Sequence, residues 1–138
     1  LAAYPVFLKI MLLAIPLHEL LHAAGYPDRG LSSKTMLIVW PARLLFAVYY
    51  DGCMSRRRWL AMRLAPVFFL SLVPAGLLAL FHYVPVGAGL DIALQVLMLV
   101  NSIGSGADLV AAVLVLRQAP AGAVIGFYGG RAYWRAGN

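Results

Sequence analysis

Two histidines four residues apart, with a glutamate directly after the first, are the residues best suited to carry chemistry. They lie in the run His18-Glu19-Leu20-Leu21-His22. Residues i and i+4 of an α-helix project from the same face, so the two imidazoles could bind one metal ion. Glu19 would then lie beside that ion, where its carboxylate could polarise a water molecule. The spacing therefore predicts a metal site on a helix, with a base next to it.

This run is the H-E-x-x-H arrangement of zinc metalloproteases, in which the glutamate is the general base. Catalytic zinc (Zn²⁺) takes three protein ligands and leaves its fourth position to water. The chain has one cysteine, Cys53, so cysteine ligands cannot form a cluster and a third ligand is expected elsewhere. The alternative is a buried polar network of the two histidines and the glutamate without a metal.

The composition places these polar residues in a membrane protein. Hydrophobic residues make up 63% of the 138 residues and charged residues 12%, whereas soluble domains are about half apolar and a quarter charged. The net charge of +6 is better explained by membrane topology than by binding to nucleic acid, because the apolar runs are too long for a soluble fold. We therefore expect one integral membrane domain over residues 1–138, with the lipid bilayer as its surroundings and no nucleic-acid partner.

Three segments are apolar enough to cross a bilayer, which takes about 20 mostly apolar residues. They cover about residues 4–25, 59–83 and 90–116. The histidine motif lies in the first, Arg63 near the start of the second, and Asp108 in the third. The expected fold class is a mainly α membrane protein with three transmembrane helices.

The connection between the first and second helices is predicted to contain a β-hairpin at about residues 34–50. Two runs rich in Ile, Val, Tyr, Trp and Phe are separated by Pro41-Ala42 and followed by Asp51-Gly52, which is typical of strand–turn–strand structure. We expect this hairpin at the membrane surface, and a re-entrant helical hairpin is the alternative. The aromatic tail at about residues 125–134 predicts one short surface strand with an interfacial anchor.

The basic residues indicate the orientation of the chain. Residues 26–58 contain six Lys or Arg and residues 117–138 contain three, whereas residues 82–89 contain none. Loops rich in Lys and Arg stay in the cytoplasm. The hairpin and the C-terminus are therefore predicted to be cytoplasmic in a multi-pass protein.

Two aspartates could complete the metal site. Asp28 follows His22 by six residues, with a glycine between, in a layout that resembles the metzincins. Asp108 is remote in sequence, but His18 and Asp108 would lie roughly 10 Å and roughly 13 Å from the cytoplasmic ends of their helices at ~1.5 Å per residue. Asp28 is instead expected at the membrane surface, so depth favours Asp108. The small residues Gly104-Ser105-Gly106-Ala107 would let the third helix approach the first closely.

On these motifs the chain resembles the site-2 protease class of intramembrane zinc metalloproteases. More closely, it resembles the family of putative zincin peptidases, whose function is otherwise unknown. The resemblance covers nearly the whole chain, from the histidine motif through the strand-rich insert to the aspartate of the third helix. It implies that His18, His22 and Asp108 bind zinc near the cytosolic side, with Glu19 as the catalytic base.

The resemblance also implies a role for Asn101, which matches an asparagine that helps to position substrate or an oxyanion in that class. The sequence departs from the class around this residue. The usual asparagine–proline and Leu-Asp-Gly patterns are replaced by Gly104 and by Ala107-Asp108-Leu109.

The function predicted from these residues is zinc-dependent endopeptidase activity within or beside the membrane, on membrane-protein or peptide substrates. A substrate helix must first unwind, and the edge of the hairpin could hold the unwound segment as an added strand. The hairpin could equally be a surface anchor. The alternative function is a membrane metal-binding or scaffold protein without proteolysis. The intact Glu19 argues against a silent scaffold, and the second helix offers no path of ionisable residues for transport.

Overall fold

The structure is a computed structural model and describes residues 3–43, 45–84, 87–128 and 131–137. Its helices are α1 (Ala3–Gly25), α2 (Arg56–Val67), α3 (Val73–Phe81) and α4 (Ala88–Gln118). A π-helical turn (Phe68–Leu72) joins α2 to α3. The strands are β1 (Thr35–Trp40), β2 (Leu45–Tyr50), β3 (Cys53–Ser55), β4 (Val124–Tyr128) and β5 (Arg131–Arg135).

Three helical segments of the described chain are long and apolar enough to cross a membrane. They are Phe7–Gly25, Arg56–Phe81 and Ala88–Gln118. The predicted fold class, mainly helical with a β-hairpin between the first two such segments, is confirmed. Many of their large apolar side chains point outward, for example Leu13 at 69% and Ile103 at 80% exposure. An outer surface of this kind suits lipid rather than water.

Two arginines at the start of α2 hold one end of the helix assembly together. Arg58 donates from Nε to the carbonyl of Gly25 and from Nη2 to that of Tyr26, each at 2.9 Å. Arg56 donates from Nη2 to the carbonyl of Leu116, at 3.0 Å, in the last turn of α4. The last carbonyls of a helix lack intrahelical partners and carry partial negative charge. The C-terminal ends of α1 and α4 therefore meet the N-terminal end of α2.

β1 and β2 form the predicted hairpin and pair antiparallel. Val39 and Phe46 share a cavity with Met11 and Ile15 of α1, so the hairpin runs back along the first candidate span. The large side chains of residues 36–40 are all apolar and exposed, so this strand can lie beside an apolar helix. Its predicted location at the membrane surface stays a prediction.

The tail also differs from the single strand predicted at about residues 125–134. β4 and β5 form a second antiparallel hairpin in which Tyr128 pairs with Arg131. β4 pairs on its other side with β3, giving a three-stranded sheet of order β3-β4-β5. The two residues between β4 and β5 are Gly129 and Gly130, a dipeptide favoured between hairpin strands. That signal outweighs the aromatic pattern that predicts one strand.

The packed core lies where these strands meet the helix ends. Its buried members are Tyr26, Tyr50, Met54, Trp59, Met62 and Ile125. The rings of Tyr26 and Tyr50 stack with centroids 5.2 Å apart. The Tyr26 hydroxyl donates to the carbonyl of Val48 at 3.0 Å, and burial raises the pKa of this hydroxyl to about 12. This bond attaches the first hairpin to the end of α1.

Candidate metal centre

The helices α1 and α4 bring three potential metal ligands to one point. On α1, Nε2 of His18 and Nε2 of His22 lie 3.1 Å apart. From α4, Oδ2 of Asp108 lies 3.1 Å from Nε2 of His18 and 3.2 Å from Nε2 of His22. The three donor atoms thus form a nearly equilateral triangle, and His22 and Asp108 are buried.

The size of this triangle suits a zinc ion. Tetrahedral zinc with nitrogen and oxygen ligands at about 2.0–2.2 Å keeps neighbouring ligand atoms roughly 3.3 Å or a little more apart. The observed separations of 3.1–3.2 Å need only a small outward adjustment to match. Two imidazoles and one carboxylate are also a donor set that zinc accepts well. His18, His22 and Asp108 would therefore hold zinc and leave its fourth position open.

Both histidine rings are oriented by hydrogen bonds from their other nitrogen. Nδ1 of His22 donates to the carbonyl of Met62 at 3.0 Å. Nδ1 of His18 donates to Oδ1 of Asn101 at 2.9 Å. A proton on Nδ1 leaves the lone pair of Nε2 for a metal. Each ring is thus held in the tautomer that presents Nε2 to the centre of the triangle.

The approach of α2 to α1 depends on a glycine. A Cβ atom added at Gly25 would lie 2.6 Å from Cβ of Met62, closer than side chains pack. With glycine at this position the backbone of α2 comes near enough for the Met62 carbonyl to reach His22. Residue 25 must therefore be glycine for α1 and α2 to pack this closely beside His22.

Asn101 supports the ligands from the third span. It is 3% exposed, and its Nδ2 donates to the carbonyl of Pro66 at 3.0 Å and to Oγ of Ser71 at 2.8 Å. Its Oδ1 accepts the bond from His18, so every polar atom of the amide has a partner. This arrangement makes Asn101 a positioning residue for His18. A role in binding substrate or an oxyanion would require one of its donated bonds to break, and that role stays a prediction.

Glu19 lies beside the ligands and is oriented by the hairpin. Its Oε2 accepts the backbone N–H of Val48 in β2 at 3.1 Å. Glu19 and His18 line a cavity of about 140 Å³ between α1 and α4, together with Asn101 and Gly104. A cavity of this size has room for several water molecules. The carboxylate therefore has access to water next to the metal ligands.

Asp28 is not brought to the histidines. It is exposed and lies in a short 3₁₀ turn (Pro27–Gly30) after α1. Its φ of 55° is in the left-handed region, which aspartate tolerates better than most residues. Among the described residues, the close group of metal-binding side chains consists of His18, His22 and Asp108. The structure thus favours Asp108 over Asp28 as the third ligand.

The small residues before Asp108 do not all pack against the other helices. Ser105 is 2% exposed and faces the other helices, and a Cβ added at Gly104 would lie 3.7 Å from the His18 ring. Gly106 and Ala107 are exposed, and a Cβ added at Gly106 would have nothing within 4 Å. Only the first two therefore serve the close approach that the sequence predicts for all four.

Arg63 also belongs to the centre, although the sequence did not single it out as a site residue. Its Nη1 donates to Oδ1 of Asp108 at 2.6 Å. Its place within an apolar span could have identified it, because ionisable residues in such spans are usually paired or functional. Ser71 and the Met62 carbonyl gave no comparable signal.

A comparison with known families agrees with this geometry. A family model described as "Putative zincin peptidase" matches residues 11–124. The matched region contains the histidine motif, the first hairpin and the third ligand. No curated protein and no solved structure matches the chain.

Proposed function

The chain belongs to the family that bears this description, and we propose that it is a zinc-dependent intramembrane endopeptidase of the site-2 protease type. Its substrates are segments of membrane proteins. The observation that carries the proposal is the triangle of His18, His22 and Asp108, with sides of 3.1–3.2 Å, next to Glu19. Two imidazoles, one carboxylate and an adjacent base are the parts that zinc-dependent peptide hydrolysis needs.

The reaction assigns a separate task to each residue. Zinc bound at the triangle would polarise the scissile carbonyl and make water a better nucleophile. Glu19 accepts a proton from the attacking water and delivers it to the amide nitrogen as the C–N bond breaks. The N–H of Val48 holds one oxygen of Glu19, which leaves the other free for this proton. Asn101 keeps His18 in the orientation that binding requires.

The first hairpin is proposed to hold the substrate in an extended form. A helical segment shields its carbonyls in backbone hydrogen bonds, so it must unwind before cleavage. The backbone of Val48 points away from β1 and towards Glu19 and Tyr26. Because both of these Val48 groups are bound within the chain, a substrate strand would add to the outer edge of β1, the other edge of this two-stranded sheet. The alternative role for the hairpin is to anchor the protein to lipid.

The proposed topology places the first hairpin and the C-terminus in the cytoplasm. Cys53 is a free and exposed cysteine just after the first hairpin, so it can be labelled without introducing a cysteine by mutation. A membrane-impermeant thiol reagent should label Cys53 in inside-out vesicles but not in intact cells. Cys53→Ser is the control for background labelling. Labelling of Cys53 in intact cells would show that the hairpin lies outside the cytoplasm and would contradict the proposed topology.

The activity can be tested by mapping protein N-termini in membranes that contain either the wild type or Glu19→Gln. The amide of glutamine cannot accept the proton of water, so zinc binding should remain while cleavage is lost. We expect new N-termini, within or next to apolar spans, that require Glu19. Identical termini in the two samples, with zinc bound in both, would instead indicate a membrane metal-binding or scaffold protein.

A further inference from the structure

We propose that Arg63 is a positioning residue of the metal centre, which holds one oxygen of Asp108 so that only the other oxygen faces the metal. The inference rests on the proposed function, since it concerns the same zinc site. It adds a cation from α2 to a site whose ligands come from α1 and α4.

The two oxygens of Asp108 have different partners. Oδ2 faces Nε2 of His18 and Nε2 of His22, at 3.1 and 3.2 Å. Oδ1 accepts a hydrogen bond from Nη1 of Arg63 at 2.6 Å, a length typical of a strong charge-assisted bond. The Asp108 side chain is only 4% exposed, so water cannot readily replace the arginine. The carboxylate is therefore divided between a metal-facing oxygen and an arginine-bound oxygen.

The guanidinium of Arg63 is itself held in place on a second side. Its Cζ lies 5.3 Å from the centroid of the Trp59 ring, within the range of a cation–π contact. Trp59 is 1% exposed and so cannot move away easily. A cation within an apolar span costs free energy unless it is paired. The ring and the carboxylate together fix the direction from which Arg63 approaches Asp108.

The consequence for the metal is a limited coordination number. A carboxylate with both oxygens free can bind zinc through both and occupy the position that water needs. With Oδ1 held by Arg63, Asp108 can supply Oδ2 alone. The site then keeps three protein ligands and one open position, as catalytic zinc sites do. The competing explanation is an ion pair that only joins α2 to α4, which would affect stability but not the coordination of the metal.

The test compares Arg63→Met with Arg57→Met in purified full-length protein loaded with Co²⁺. Arg57 is exposed on the same helix, and its side chain makes no hydrogen bond or ion pair within the described ranges. Visible absorption of Co²⁺ is intense at four-coordinate sites and weakens when a further ligand binds. We expect weaker, shifted bands for Arg63→Met and the wild-type spectrum for Arg57→Met. Arg63→Lys, which keeps a cation, should restore part of the band intensity.

A wild-type Co²⁺ spectrum in Arg63→Met would overturn the inference, whatever the change in thermal stability. X-ray absorption of the zinc-loaded wild type needs no variant and should show one carboxylate oxygen at bonding distance. Two carboxylate oxygens on the metal would equally overturn it. Failure of the wild type to bind zinc or cobalt would refute the proposed function together with this inference. An unchanged Arg63→Met spectrum refutes the inference alone.

Discussion

The Nδ1 atom of His22 lies 3.0 Å from the carbonyl oxygen of Met62, and this carbonyl is free to accept the bond because of a proline. In a regular helix the carbonyl of Met62 would accept the N–H of residue 66. Residue 66 is Pro66, inside α2, and proline has no N–H to donate. The gap that proline leaves in the hydrogen bonds of one helix thus lets its carbonyl orient a candidate metal ligand on another.

Replacing Pro66 with alanine should weaken metal binding. Alanine restores an N–H that competes with His22 for the Met62 carbonyl. We expect a zinc affinity lowered by about 10- to 100-fold, as for other losses of a ligand's supporting hydrogen bond. The unfolding temperature should change less, because the helix propensity that alanine gains is opposed by lost packing around a side chain that is under 2% exposed. Chelator competition measures the affinity.

Pro74→Ala is the matched control for this change. Pro74 lies at the start of α3, away from the carbonyl that supports His22. This variant should bind zinc as the wild type does. Wild-type zinc affinity in Pro66→Ala would show that the freed carbonyl does not orient the histidine.

Gly25→Ala should weaken the metal site through packing. The added Cβ would lie 2.6 Å from Cβ of Met62, so α2 must move away and take the Met62 carbonyl from His22. Overpacking of this kind costs about 1–3 kcal/mol. We expect both a lower unfolding temperature and weaker zinc binding. Gly76→Ala is the control, since a Cβ there has nothing within 4 Å, and it should leave zinc binding unchanged. Normal stability and zinc affinity in Gly25→Ala would contradict the packing argument.

The close grouping of the three candidate ligands could be predicted from the sequence because their signals are local. His18 and His22 share a helix face by spacing alone, and Asp108 is an ionisable residue in an apolar segment. The groups behind them could not be predicted in the same way. The carbonyl of Met62 and the N–H of Val48 are backbone groups that nearly every residue has, and only the packing of α2 and β2 against α1 selects them.

The hairpins show a similar division. Two runs of β-branched and aromatic residues, each followed by turn residues, correctly predicted β1 and β2. Their position along α1 was not predictable, because strands that are apolar throughout have no polar face to place them at an interface. The second hairpin had a local signal in Gly129-Gly130, but the pairing of β4 with β3, which is remote in sequence, had none.

Asp108→Asn and Asp28→Asn should separate the two candidate third ligands. Removing the Asp108 carboxylate takes a charged donor from the triangle and leaves Arg63 without its partner. Loss of a residue that only supports a ligand lowers metal affinity by about 10- to 100-fold. Loss of the ligand itself should therefore lower zinc affinity by at least about that much. Asp28 is exposed in a turn, so its variant should retain about one zinc per chain. Zinc retained in Asp108→Asn and lost in Asp28→Asn would show that the metzincin-like layout is correct.

Gly104→Leu should block the cavity without removing the metal. A Cβ at this position would lie 3.7 Å from Cε1 and Nδ1 of His18, which is ordinary contact, so alanine should be tolerated. The further carbon atoms of leucine would extend into the cavity that Gly104 lines with His18 and Glu19. We therefore expect Gly104→Leu to keep zinc but lose cleavage, because water and substrate no longer reach Glu19.

Gly106→Leu makes the same change two residues further along α4, where a Cβ has nothing within 4 Å. Both variants replace a helical glycine and gain about 1 kcal/mol of helix propensity, so their stabilities should rise together. Their cleavage rates should separate, with Gly106→Leu near the wild type. Zinc content, unfolding temperature and Glu19-dependent N-termini, measured for both, distinguish a filled cavity from a distorted fold. Cleavage by Gly104→Leu at the wild-type rate would mean that substrate reaches Glu19 by a path other than this cavity.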